Sequence, residues 1–160
     1  MKHHALISGS FDPVTIGHAD LIRRTAQFFD TVTVCVFLNH EKTDFLLTTA
    51  QRVALLRAAC ASLPNVRVDS SEGYVADYVA AHGICVIVKG IRNGSDLPYE
   101  LLQADFNRRR NPAAETLLLP TAEEFAEVSA TEVRRRIAEG ESYDALIPEG
   151  ARTLLHTFLK

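Results

Sequence analysis

Five short apolar runs, rich in β-branched residues, punctuate the chain: ALI at 5–7, VTVCVFL at 32–38, VRV at 66–68, CVIV at 85–88 and TLLL at 116–119. A segment with helical spacing separates each run from the next, so strand and helix alternate. Runs that are continuously apolar, rather than alternating, suit strands covered on both faces. The pattern therefore predicts an α/β protein with a doubly wound, five-stranded parallel sheet, helices on both faces and a C-terminal helical segment.

The helical segments carry their own start and stop signals. TTAQRVALLRAACASLP places Gln51 three residues after Thr48, a capping-box pattern, and Pro64 closes it. YVADYVAAHG sets Val75, Tyr78, Val79 and His82 at helical spacing and stops at Gly83. SATEVRRRIAEGES repeats the logic: Ser129 caps, Glu132 reaches back and Gly140 ends the helix, while PEGARTLLHTFLK forms the last one. No repeat, low-complexity tract or Pro/Gly/Ser linker divides the 160 residues, so residues 1–160 read as a single domain.

Composition narrows the function. Hydrophobic residues at 47% and charged residues at 23% are enough to build a packed core, and a net charge of -3 offers no cationic field for a nucleic-acid duplex. The triplets Arg108 to Arg110 and Arg134 to Arg136 read as solvated or subunit-facing charge. Cys35, Cys60 and Cys85 are odd in number and sit in apolar runs, which predicts reduced core thiols. None of His3, His4, His40, His82 and His156 has metal-ligand spacing, so no metal ligand is assigned. The first eleven residues contain only a three-residue apolar stretch, which predicts neither a leader nor a membrane span and implies a cytoplasmic protein.

The chemistry concentrates in GSFDPVTIGH, residues 9–18, between the first predicted strand and the first helix. In an open parallel sheet such a loop supplies backbone amides and a positive helix end to a ligand at the strand termini. Gly9 and Gly17 would let backbone approach a bulky anion, Pro13 would stiffen the turn, and Ser10 and His18 would donate to phosphate oxygens. Asp12 reads as a turn residue. No Walker lysine follows the glycines and no G-x-G-x-x-G is present, so a different nucleotide scheme is required.

Thr15-Ile16-Gly17-His18 resembles the T/H-x-G-H motif of a nucleotidyltransferase superfamily. Downstream, NHEKT with Lys42 after the second strand, VKGIRNGSDLPYE after the fourth, EVSATEVRRRI and LIPEGARTLL resemble, in order and spacing, the bacterial phosphopantetheine adenylyltransferase family. The resemblance covers nearly the full length and implies a Rossmann-like fold. It also implies transfer of the adenylyl group of ATP to 4′-phosphopantetheine, giving dephospho-coenzyme A and pyrophosphate, by direct in-line attack without a covalent enzyme intermediate.

Carried over by motif position, the resemblance gives catalytic roles to Ser10, His18, Lys42 and Arg92. It gives ATP contacts to Ser10, Phe11, His18, Gly90, Ile91, Arg92, Glu100 and the segment Phe125, Ala126, Glu127, Val128, Ser129, Ala130 and Thr131. It gives contacts to the second substrate to Ser10, Lys42, Val75 and Lys89. Lys89 stands where many relatives carry arginine, and Ala130 interrupts a run that is usually serine-rich. The resemblance further implies Mg2+ arriving with ATP, coenzyme A as a feedback inhibitor and a homohexamer. Two rival readings keep the fold and change the substrate, to nicotinate mononucleotide or to CTP with a phosphorylated alcohol. A third is a noncatalytic nucleotide sensor. Lys42 and KGIR argue against the first, the KGIR-to-PYE arrangement against the second, and the retained Ser10, His18 and Arg92 against the third.

Overall fold

A computed structural model describes residues 3–38 and 44–160. Five strands, β1 (His4–Gly9), β2 (Thr31–Phe37), β3 (Val66–Ser71), β4 (Val86–Ile91) and β5 (Glu115–Pro120), form one sheet of order β3-β2-β1-β4-β5. Every pairing is parallel: Ile7 of β1 lies between Val34 of β2 and Val88 of β4. Among the described residues the α-helices are α1 (Ile16–Ala26), α2 (Thr49–Ala59), α3 (Val75–Ala81), α4 (Leu97–Arg110), α5 (Ala130–Glu139) and α6 (Glu149–Phe158).

Alternation along the central strands sorts side chains onto two cores. Ala5, Ile7, Val32, Val34, Val36 and Val88 pack with Ile22 of α1, Leu55 and Leu56 of α2, Val133 of α5 and Leu155 of α6. Leu6, Cys35 and Ile87 face the other way, against Tyr78 and Val79 of α3. Each such fully buried aliphatic side chain contributes about 1.5–3 kcal/mol relative to exposure. The two-sided burial predicted for all five strands holds for the central ones. The edge strands β3 and β5 alternate in exposure, the pattern of strands covered on one face only. Among the described residues, no helix is long and apolar enough to cross a membrane.

Three local expectations need correction. Helix α2 ends at Ala59, five residues before Pro64, in a turn where the Leu63 amide donates to the Cys60 carbonyl. Ser129 does cap α5, but Glu132 does not reach back: its carboxylate pairs with Arg135 and Arg136, which hold it down to about 2. Two guanidiniums outcompete one amide for that carboxylate. Cys35 and Cys60 are buried thiols pushed up by burial, to about 12 and about 11, whereas Cys85 is exposed in the link entering β4.

Candidate active site

Strand order reverses direction between β1 and β4, and a cavity of about 350 Å³ opens at their carboxyl ends. That crevice is where an open α/β sheet holds its ligand. Three segments wall it: the loop after β1, the loop after β4, and the loop leading from β5 into α5.

The first loop is the most constrained. Thr15 caps α1, its hydroxyl accepting from the His18 amide at 3.3 Å, while the Thr15 amide donates to His18 Nδ1 at 3.0 Å. Since an amide can only donate, Nδ1 is the accepting nitrogen and the neutral ring carries its proton on Nε2. Burial, then Arg92 and then Lys89, lower His18 to about 4, so the ring is uncharged at neutral pH. Phe11 packs edge-on against this imidazole at 5.0 Å between centroids.

Phe11 holds φ at +49°, the left-handed region, where an aromatic residue costs about 1–3 kcal/mol. Gly9, which lines the cavity, also makes room for this arrangement: a Cβ there would come within 3.1 Å of the Phe11 ring. Asp12 is more than a turn residue. It is buried, and its two carboxylate oxygens accept from the amides of Leu46 and Leu47 at 2.8 and 3.0 Å. The Ser10 carbonyl accepts from Arg52 Nη1 at 2.9 Å, and the Asp12 carbonyl from Arg134 Nη1 at 2.7 Å.

After β4, Lys89, Gly90, Arg92, Asp96 and Glu100 line the same cavity. Asp96 accepts from the Arg92 amide at 3.1 Å and lies 3.4 Å from its Nε. Lys89 Nζ stands 3.8 Å from Glu100 Oε2, a buried oxygen with no hydrogen-bond partner.

The third wall contains Thr121, Phe125, Val128, Ser129, Ala130, Thr131 and Arg134. Ser129 Oγ is already used as the N-cap, accepting from Glu132 N at 3.1 Å. Arg134 departs from the reading of its triplet as outward charge: it turns into the cavity, bonded to the Asp12 carbonyl and to Thr131 Oγ1 at 3.1 Å. Arg135 and Arg136 do stay on the surface, paired with Glu132, Glu139 and Glu141. Arg134 follows the buried Val133. Helical spacing gives no signal for this, since Arg136, three positions after Val133, lies nearer the core-facing stripe than Arg134 does.

The cavity thus brings together Ser10, Phe11, His18, Lys89, Gly90, Arg92, Glu100, Phe125, Val128, Ser129, Ala130 and Thr131. Ile91, Ala126 and Glu127 lie in the same segments but do not line it, Glu127 being exposed. Val75 opens α3 and packs against the second core. Lys42 lies outside the described residues.

These features define an open, parallel α/β protein that gathers cationic and hydrogen-bonding groups in a cavity at its switch point. The Cytidylyltransferase-like family matches residues 6–136. Among curated proteins, the phosphopantetheine adenylyltransferase of Corynebacterium efficiens is 41% identical over 91% of this chain and 91% of its own length. That of Deinococcus radiodurans is 40% identical over 95% and 91%, and that of an Acidovorax species 42% over 81% and 78%. The chain therefore belongs to the phosphopantetheine adenylyltransferases, within the cytidylyltransferase-like nucleotidyltransferases.

Proposed function

We propose that this protein, as one adenylyltransferase domain, transfers the adenylyl group of ATP to 4′-phosphopantetheine, releasing pyrophosphate and forming dephospho-coenzyme A. The observation that carries the reading is the convergence of His18, Lys89, Arg92 and Arg134 on one cavity at the β1/β4 switch point. The names of its relatives supply the substrate pair.

A phosphate oxygen of 4′-phosphopantetheine attacks the α-phosphorus of ATP, the bond from that phosphorus to the bridging oxygen breaks, and pyrophosphate leaves. The attacking oxygen is already anionic, so the chain needs to align the groups and neutralise charge rather than move protons. His18 suits this: with its affinity for protons lowered to about 4, it is a hydrogen-bond donor through Nε2 and not an acid at neutral pH. Removing one such preorganised donor costs ~3 kcal/mol of barrier. Arg92 and Arg134 take the polyphosphate, Lys89 and Lys42 take the acceptor phosphate, and Ser10 serves the region the two substrates share. Phe125 and Val128 offer apolar surface to the base, and the α5 amides behind Ser129 and Ala130 offer donors to phosphate.

Magnesium is the implied ion. Two of the carboxylates on the cavity are hydrogen-bonded, Asp12 to two amides and Asp96 to Arg92, while Glu100 stands 3.8 Å from the Lys89 ammonium. Among the described residues, no three His, Cys, Asp or Glu side chains converge on one point. That donor set fits an ion carried in by the triphosphate, where it screens phosphate charge. Coenzyme A, sharing the pantetheine arm with the product, fits as a competing inhibitor, and the setting is cytoplasmic.

Helix α4 exposes Tyr99, Leu102 and Phe106 along one stripe, at 62%, 65% and 41%. Leu117 of neighbouring β5 is also exposed. An apolar strip of this kind is more than a monomer needs, and it supports assembly into a homohexamer. A solution mass of one chain at micromolar concentration would remove that part of the proposal.

The reaction is tested by pyrophosphate release with 4′-phosphopantetheine against nicotinate mononucleotide, and with ATP against CTP. Turnover is expected for ATP with 4′-phosphopantetheine. Faster turnover with either alternative overturns the assignment.

A further inference from the structure

The carbonyls on either side of Phe11 are each held by an arginine from a different helix. Arg134 of α5, itself on the cavity, takes Asp12, and Arg52 of α2 takes Ser10. The proposed phosphate chemistry accounts for Arg134 but not for Arg52, which does not line the cavity and is 1% exposed. Its guanidinium gives Nη1 to the Ser10 carbonyl and Nη2 to Thr49 Oγ1 at 3.2 Å, lies 4.2 Å over the Phe45 ring, and leaves Nε buried without a partner. Burying an incompletely bonded guanidinium is expensive, and an apolar side chain would fill the same space at less cost. A charge kept there has work to do at the one carbonyl it reaches.

A loop that receives phosphate must keep its own carbonyl oxygens away from the anion. Phe11 holds a backbone conformation that an aromatic residue resists, and relaxing it would turn the peptides on either side. We propose that Arg52 is a positioning residue for adenylyl transfer: it ties the Ser10 carbonyl toward α2, opposing rotation of the Ser10–Phe11 peptide and holding the Ser10 hydroxyl in register with the reacting phosphates. Burial lowers the pKa of Arg52 and the nearby Asp12 carboxylate opposes that shift, so the guanidinium stays charged beside the carbonyl it holds. The inference rests on the adenylyl-transfer reading for its readout, while the contact itself is independent of the substrate.

The test is a double-mutant cycle on the full chain with ATP and 4′-phosphopantetheine. Arg52→Lys should lower kcat about 30-fold, a displacement effect, with both KM values within about threefold. In a Ser10→Ala background the same substitution should change kcat by less than about threefold, because the hydroxyl it positions is gone. Fully multiplicative losses, or an Arg52→Lys enzyme with wild-type kcat, overturn the proposal. Should the lysine variant not fold, Thr49→Val removes only the hydroxyl that steadies Nη2, and a fall in kcat that vanishes in the Ser10→Ala background is the expected result. Wild-type turnover alone reports on the assigned reaction. The clamp is also read without substrate: the Ser10 and Phe11 amide resonances should move in Arg52→Lys, and unmoved resonances overturn it.

Discussion

The loop after β1 and the loop after β5 face each other across one cavity, and they are built on opposite principles. In the first, Phe11, Asp12 and Thr15 are buried, the backbone enters the left-handed region, and two guanidiniums hold the Ser10 and Asp12 carbonyls that flank Phe11. In the second, Glu123, Glu124 and Glu127 are exposed, and a 3-10 turn at Glu123–Phe125 is carried by local backbone bonds such as Phe125 N to Ala122 O at 2.9 Å. A long-range side-chain strap does reach the start of this loop, from Arg24 Nη1 to the Pro120 carbonyl at 2.8 Å. On the proposed reading, stiffness falls where bonds to phosphorus change, and latitude where base and polyphosphate enter and leave. Substitutions in the first loop should therefore act on kcat, and substitutions in the second on KM.

The largest effect should come from His18→Ala. It deletes the donor whose ring orientation Thr15 fixes and whose neutrality burial enforces, so kcat should fall by about 10²–10³ with a much smaller change in KM. Steady-state pyrophosphate release decides it, and turnover unaffected by the substitution would refute the mechanism outright. Next comes Arg24→Met, which cuts the strap at the entrance to the second loop while leaving the first untouched. Its expected signature is a KM for ATP raised about three- to tenfold with kcat within about twofold. A loss confined to kcat would erase the division between the two loops.

Much of the frame was legible in the sequence because it depends on local signals. Buried central strands read as unbroken apolar runs, and the positive φ values at Gly83 and Gly140 were visible as glycines closing amphipathic stretches. The capping box at Thr48 and Gln51 likewise formed as its spacing required. What stayed illegible depends on contacts distant in sequence. Arg52 lies 42 positions from the carbonyl it holds, Arg134 is 122 from its own, and Asp12 is 34 from the amide of Leu46. No periodicity announces which arginine of a basic triplet turns inward or which aspartate in an Asp-Pro turn is buried. Ala130 and Lys89, read in the sequence as departures from the family it resembles, both line the cavity.

The smallest effect sharpens the comparison from the stability side. His18 is lowered in the folded protein from an ordinary value of 6.5 to about 4, first by burial and then by Arg92 and Lys89. Between those two values the unfolded chain binds a proton that the folded chain refuses, so folding stability must rise with pH across this window. The contribution is fully present above pH 6.5 and drains away as pH falls toward 4. The melting temperature of the wild type should therefore drop between pH 7 and pH 5 by about 4–7 °C more than that of His18→Gln, which has no proton to gain. His4 is also lowered by burial but sits at the opposite end of β1, so it contributes equally to both proteins and cancels in the difference. Parallel melting curves for the two proteins would mean that the first loop opens readily enough to hydrate the imidazole, and the rigidity claimed for it would fail with them.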